Sequence, residues 1–326
     1  MASPKTMTLE HLVASTLRRQ LRKLSREAAR ARSDNGMEPL HQVRVAARRL
    51  RSTLAVFGDL CFRERSLRSW RKSLRRLTRR LGRPRDLDVQ IAFVRGVLEA
   101  GSHASLRPGM ERLYLRLRQR RDKHGGRTEK ALTRFAADQT AQQMLAAAHA
   151  LTPCDAPGDA SRDLHAACRN SIHGALAELF SYRDCLLNPD DTQRHHAMRI
   201  RAKRLRYAME VCCPAYGCRL KPMIEAARTL QTLLGELHDC DVWLRDLAAF
   251  EAAEWRRTEE YYGHSRPFDK LKPGLDSLVA DRRQRRQDIF RTLGATWRTF
   301  EKRGVWTKLA TILDPAAKPH QPPSTP

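Results

Sequence analysis

The sequence predicts an all-α fold, on three observations. Apolar residues recur at helical spacing along most of the chain. No stretch alternates in strand fashion for long, and β-branched residues are few. Two motifs recur at nearly the same separation, so one helical arrangement is used twice. The first is His41-Gln-Val-Arg-Val-Ala-Ala-Arg-Arg-Leu-Arg51, matched 155 residues on by His196-Ala-Met-Arg-Ile-Arg-Ala-Lys-Arg-Leu-Arg206. The second, Leu-Gly-x2-[Arg/His]-Asp-x-Asp-Val, begins at Leu81 and again, with an offset of 153, at Leu234. The physical reading is an internal tandem duplication. Two helical bundles are related by a pseudo-two-fold and face their cationic helices across a shared groove.

The elements follow in order. Thr8 to about Ala31 is the first helix, with Leu9, Leu12, Leu17, Leu21 and Leu24 on one face. Ser33-Asp34-Asn35-Gly36 breaks it, and Pro39 suits the first turn of the next helix. That helix ends near Gly58-Asp59 and carries the first His/Arg motif. The third runs from Arg63 to Leu81 on Leu67, Trp70, Leu74 and Leu77. Gly82-Arg83-Pro84 stops or kinks it, and Asp86 begins a fourth to about Leu98. Leu106 to Ala150 holds one long helix or two shorter ones, interrupted near Gly125-Gly126. A Pro/Gly-containing linker at 151–158 separates repeats 7–150 and 159–313. The second repeat keeps the order: a helix to Leu187, the second His/Arg helix to about Pro214, Lys221 to Leu234, a break at Gly235, a helix to Tyr262, and helices at 270–303 and 305–313. The Pro-rich tail, 314–326, is expected to be disordered.

Charge narrows the function. The chain of 326 residues has 62 Lys+Arg against 36 Asp+Glu, a net charge of +26. That excess repels itself in the compact state and points to a polyanionic partner. About 50 of the cations are arginine, whose planar fork binds phosphate oxygens in pairs and stays charged when desolvated. No run is long and apolar enough for a membrane span, and no basic-plus-apolar leader opens the sequence, so a soluble cytoplasmic protein is expected. The eight cysteines include no CxxC pair and are expected to be small buried hydrophobes.

His41, Arg44, Arg48 and Arg51 fall on one helical face beside the apolar stripe of Val43, Ala46, Ala47, Leu50, Leu54 and Phe57. His196, Arg199, Lys203 and Arg206 repeat the cationic stripe. Arg68, Arg71, Arg75 and Arg79 flank the core stripe of the third helix. Lys221 and Arg228 match Arg68 and Arg75, but Ile224 and Thr232 stand where the first half has Arg71 and Arg79. Like charges three and four apart destabilise an isolated helix, and no acid lies between Glu38 and Asp59 to offset them. An anion held across the stripes would, and the first half is expected to hold it harder.

His41 and His196 admit three readings: a further donor to the anion, an orienter of a nearby acid, or a metal ligand with Asp86 and Asp88 or with His238, Asp239 and Asp241. A metal inside a field of arginines is disfavoured, and no metal or cofactor is expected. Asp86, Asp88, Asp239 and Asp241 follow a glycine and suit either helix capping or a supporting shell that fixes the arginines and histidines. The sequence has no evident nucleophile, Mg²⁺-binding acid cluster or Walker-type GxxxxGK[ST] loop, so no enzyme is expected.

These paired motifs resemble the CHAD domain (conserved histidine α-helical domain), over about residues 7 to 313. The resemblance implies two four-helix-type bundles around a basic central groove, binding of inorganic polyphosphate, and association with polyphosphate granules. It implies ligand contacts at His41, Arg44, Arg48, Arg51, His196, Arg199, Lys203 and Arg206, and, less strictly, at Arg75 and Arg228. CHAD domains are often fused to a CYTH triphosphatase, but this sequence has no β-tunnel segment or ExExK pattern. His238, where the first half has Arg85, is a further departure. The competing readings are a nucleic-acid binder and a metal-dependent phosphohydrolase. Aromatic residues are only 6% of the chain and none falls in the cationic stripes, which argues for a ligand without bases.

Overall fold

The computed structural model describes residues 7–33, 37–101, 103–123, 125–151 and 163–314. Among these the regular elements are all helical. The α-helices are α1 (Leu9–Ser33), α2 (Met37–Cys61), α3 (Glu64–Arg80), α4 (Gly82–Glu99), α5 (Arg107–Asp122), α6 (Gly125–Ala137), α7 (Thr140–Ala150), α8 (Leu164–Phe180), α9 (Thr192–Tyr216), α10 (Lys221–Tyr262), α11 (Lys272–Lys302) and α12 (Val305–Leu313). The linker at 152–158 and the tail from 315 lie outside the described residues.

Periodicity located most of these helices. All six apolar positions expected on α2, Val43 to Phe57, are completely buried. Each large side chain so buried contributes about 1.5–3 kcal/mol. Several elements differ from expectation. The fourth helix begins at Gly82 rather than Asp86, and α8 ends at Phe180, before a separate 3-10 turn at Arg183–Leu187, instead of running to Leu187. Leu106 to Ala150 divides into three helices, with a second break at Gln139, whose φ of 52° is left-handed. Gly235 does not break its helix: α10, of 42 residues, runs through it. At the matching Gly82 the chain does turn, and Leu81 both closes α3 and opens α4. Aspartates cap α8 and α9: Asp163 accepts from the amide of Ala166 and Asp191 from that of Arg194, at 3.0 and 3.1 Å.

Two buried clusters hold the molecule, and each draws on both sides of the linker. The larger joins α1, α2 and α3 to α8, α9 and the first part of α10. Cys168, Cys185, Cys212 and Cys240 are buried within it, as small hydrophobes. The smaller joins Leu87 and Val94 of α4, Met110, Leu113 and Leu117 of α5, Trp243, Leu247 and Phe250 of α10, and Leu275 and Leu278 of α11. Here α5 and α11 cross at Gly109 and Gly274. A Cβ on Gly109 would lie 2.1 Å from the Leu271 carbonyl oxygen, and one on Gly274 would lie 2.1 Å from that of Leu106. The contact is reciprocal, and Leu106-Arg-Pro-Gly109 matches Leu271-Lys-Pro-Gly274 at an offset of 165. Beside it the fully buried Glu254 of α10 accepts from Arg112 and Arg116 of α5, at 3.2 and 2.9 Å, and from Arg257. Burial alone would raise its pKa, but the arginines outweigh that and lower it.

Candidate functional site

The cationic stripes of α2 and α9 come together because the two helices pack directly on one another. Lys203 of α9 is surrounded by cations. Its ammonium is pushed down to about 8, first by burial and then by Arg48, Arg199, Arg51 and Arg44. Burial likewise pulls Arg44, Arg48 and Arg51 below the ordinary arginine range. Tyr207 of α9 lies between an arginine of α2 and one of its own helix. The Arg206 guanidinium sits 4.5 Å from its ring centroid and that of Arg48 5.4 Å. The Nε atoms of Arg48 and Arg206 and the Tyr207 hydroxyl are buried without a hydrogen-bond partner among the described residues.

The second motif forms the adjoining wall. Where α3 ends, the Leu81 carbonyl accepts from Arg44 Nη1 at 2.8 Å. Gly82 lies directly beneath: a Cβ there would be 3.3 Å from that nitrogen, and one on Gly235 would be 3.7 Å from Arg199 Nε. The space is tight only at Gly82; at Gly235 an added Cβ would make an ordinary contact. Arg44, Arg199 and Lys203 line an open cavity of about 670 Å³ with Asp86, His238 and Asp239. Asp239 is raised by burial and by Asp86 and Glu236, against the pull of Arg199. The Nδ1 atoms of His196 and His238 are 3.1 Å apart, so one ring donates to the other. His238 is pushed down to about 4 by burial, Arg199 and His196. In the first half burial also lowers His41, helped by Arg85, the residue matching His238.

The CHAD domain model matches residues 15–249. The chain belongs to the CHAD family. The crystal structure of the CHAD domain from the plant Ricinus communis is similar to this CHAD chain, with a TM-score of 0.60 and 20% identity over 98% of this chain and 96% of the other. PptA from Streptomyces chartreusis is similar with a TM-score of 0.59 and 16% identity, over 90% of this chain and 100% of the other. At such identities the likeness is one of fold. No curated protein matches this CHAD chain by sequence.

The remaining predicted residues divide into two groups. Asp88 and Asp241 are structural anchors. Arg121 of α5 donates to Asp88 at 2.6 Å, and Arg286 of α11 donates to Asp241 at 2.6 Å. Capping explains none of the four motif acids: Leu81 is the N-cap of α4, and Asp239 and Asp241 sit in mid-helix. On α3, Arg71 is held by Asp59 at 2.9 and 3.1 Å and by the Leu54 carbonyl at 2.8 Å. Arg68 pairs with Glu64 at 3.6 Å, while Arg75 and Arg79 are exposed. Arg51 donates to Thr78 at 3.3 Å. In the second half Lys221 is exposed, and Arg228 pairs with Glu225 at 2.8 Å. Glu210 lies 3.6 Å from Arg206 and 3.8 Å from Arg228. The first half has Ala55 and Lys72 at the positions of Glu210 and Glu225.

Sequence reasoning missed Tyr207 and Glu210. Glu210 was visible four residues after Arg206 and Tyr207 directly after it; what gave no signal is the approach of Arg48, which is far away in sequence. Among the described residues no group of three or more His, Cys, Asp or Glu side chains is placed to hold a metal. No described helix is long and apolar enough to cross a membrane.

Proposed function

We propose that this CHAD protein binds inorganic polyphosphate, without chemistry of its own, in a basic groove between two helical repeats. The observation that carries the reading is the cluster around Lys203. Cations from α2 and α9 are gathered and desolvated together. Successive phosphates of a flexible chain supply what the cluster lacks: oxygens for Arg44, Arg48, Arg51, Arg199, Lys203 and Arg206, with His41 and His196 at the ends of the stripes. Arg75, Arg79 and Lys221, exposed on the following helices, extend the track; Arg68, Arg71 and Arg228 join it by exchanging a carboxylate for a phosphate. The tandem duplication is supported by the reciprocal contact of Gly109 and Gly274 and by the matched pairs Asp88–Arg121 and Asp241–Arg286. In cells the reading puts the protein in the cytoplasm at polyphosphate granules.

Tyr207 adjoins the stripes without belonging to either. Its ring is 6% exposed, so it packs against arginines and offers no face to a base. The test is a titration with long-chain polyphosphate and with single-stranded DNA of matched charge, at physiological salt. A variant with Arg44, Arg48, Arg199 and Lys203 changed to alanine is run alongside. Expected are tight polyphosphate binding, weak DNA binding and loss of the former in the variant. Log affinity should fall with log salt by about 0.7–0.9 per phosphate engaged. Equal binding of both polymers, unchanged in the variant, overturns the reading in favour of a general basic surface.

A further inference from the structure

Lys203 differs in surroundings from the other lysines described. Lys272, by contrast, contacts Glu251 and Asp276 at 3.2 and 3.0 Å, and these carboxylates hold its proton in place. Lys203 makes no hydrogen bond or ion pair among the described residues. It lines an open cavity, so a small molecule can reach it. The groups facing it are Arg44, Arg48 and Arg51 from α2 and Arg199 from its own helix. Across the cavity are Asp86 from α4 and Glu236, His238 and Asp239 from α10. Arginine forks pair with phosphate oxygens, and the amine lies among four of them.

We propose that Lys203 is a site of acylation by small acyl phosphates, which the surrounding arginines bind through the phosphoryl group and turn toward the amine. The Nζ lone pair attacks the acyl carbon. The bond from that carbon to the bridging oxygen breaks, and inorganic phosphate leaves with the electron pair. Nζ gives up one proton to the departing phosphate, and an amide remains. Nothing is oxidised or reduced. The product is neutral and removes one positive charge from the centre of the cluster.

The lowered proton affinity of Lys203, about 8, adds to this geometry. At pH 7.5 roughly a quarter of such amines are neutral, against roughly one in a thousand of ordinary lysines. A less basic amine is also a weaker nucleophile. That loss offsets most of the gain in free amine, so the net excess before any binding by the arginines is only a few fold.

The experiment treats the full-length protein at pH 7.5 with acetyl phosphate and, separately, with a neutral N-hydroxysuccinimide acetate. Initial acetylation rates at the twelve lysines are read by site-resolved mass spectrometry, so the chain supplies its own controls. Expected is a rate at Lys203 a few fold above the median with the ester, and a larger excess with acetyl phosphate; Lys272 should be among the slowest. A rate at Lys203 at or below the median overturns the proposal, and so does equal selectivity with both reagents. A third arm adds long-chain polyphosphate and rests on the binding reading above. Protection of Lys203 supports both. Fast acetylation without protection leaves this inference standing and removes polyphosphate from the cavity.

Discussion

Replacing Gly109 by alanine tests the crossing that joins α5 to α11. The new Cβ would lie 2.1 Å from the Leu271 carbonyl oxygen. A carbon–oxygen contact needs about 3.3 Å, so the helices must separate by roughly 1 Å. The obstructing atom is backbone, and no rotamer change relieves it. Overpacking of this kind costs about 1–3 kcal/mol, and the better helix propensity of alanine returns at most ~1 kcal/mol. A net loss of about 1 kcal/mol corresponds to a fall of roughly 2–4 °C in the unfolding midpoint. Gly274→Ala should behave alike, since its Cβ meets the Leu106 oxygen at 2.1 Å. The double variant should lose less than the sum, because helices parted for one methyl have room for the other. Gly96 and Gly174 are the controls. Both are exposed within helices, with nothing within 4 Å of an added Cβ, so alanine should stabilise by about 0.5–1 kcal/mol. Calorimetry of the four single variants and the double reads all of this. An unchanged or raised midpoint for Gly109→Ala, or strict additivity in the double, refutes the reasoning.

Glu210 partly neutralises Arg206 and Arg228, so Glu210→Gln should tighten polyphosphate binding by about two- to fivefold; a titration showing unchanged or weaker affinity counts against that. The same asymmetry predicts a larger affinity loss for Arg51→Ala with Arg75→Ala than for Arg206→Ala with Arg228→Ala, and equal losses would sink it. His238 titrates near 4 in the fold and near 6.5 when unfolded, so the unfolded chain takes up its proton first. Its contribution is intact above pH 6.5 and is lost as pH falls toward 4. Thermal scans across that window should show a loss on the order of 1 kcal/mol larger in the wild type than in His238→Gln. Asp241→Asn leaves Arg286 half-paired in a mostly buried position and should cost about 2–4 kcal/mol in chemical denaturation. Affinity per folded molecule should stay put; a binding loss without a stability loss would return Asp241 to the ligand.

What the sequence made legible is what periodicity encodes. The α2 stripe that buries Val43 through Phe57 also fixes where Arg44 and Arg48 point. The repeat then predicts that Arg199 and Lys203 do likewise. Glycine at 235 misled because its cost in a helix is only about 1 kcal/mol, and the packing of α10 in both cores exceeds that. The break at Gln139 carries neither Gly nor Pro, so nothing local announces it. The roles of Asp88 and Asp241 depend on Arg121 and Arg286, which lie 33 and 45 residues away. The third repeated motif, at Leu106 and Leu271, hid behind its offset of 165 when the earlier two are spaced by 155 and 153.

The same motif makes an elbow in one half and a straight rod in the other, and this sets where the molecule can flex. At Leu81 the helix stops and restarts, which frees a carbonyl that Arg44 then grips. At Leu234 the helix continues, its carbonyl is used within α10, and among the described residues Arg199 gains no such clasp. One wall of the cavity is thus a hinge with a pinned arginine; the other is a stiff beam of about 63 Å carrying an untethered one. Breathing of the site should begin at the elbow, with amides near 81–84 exchanging through smaller openings than those near 235.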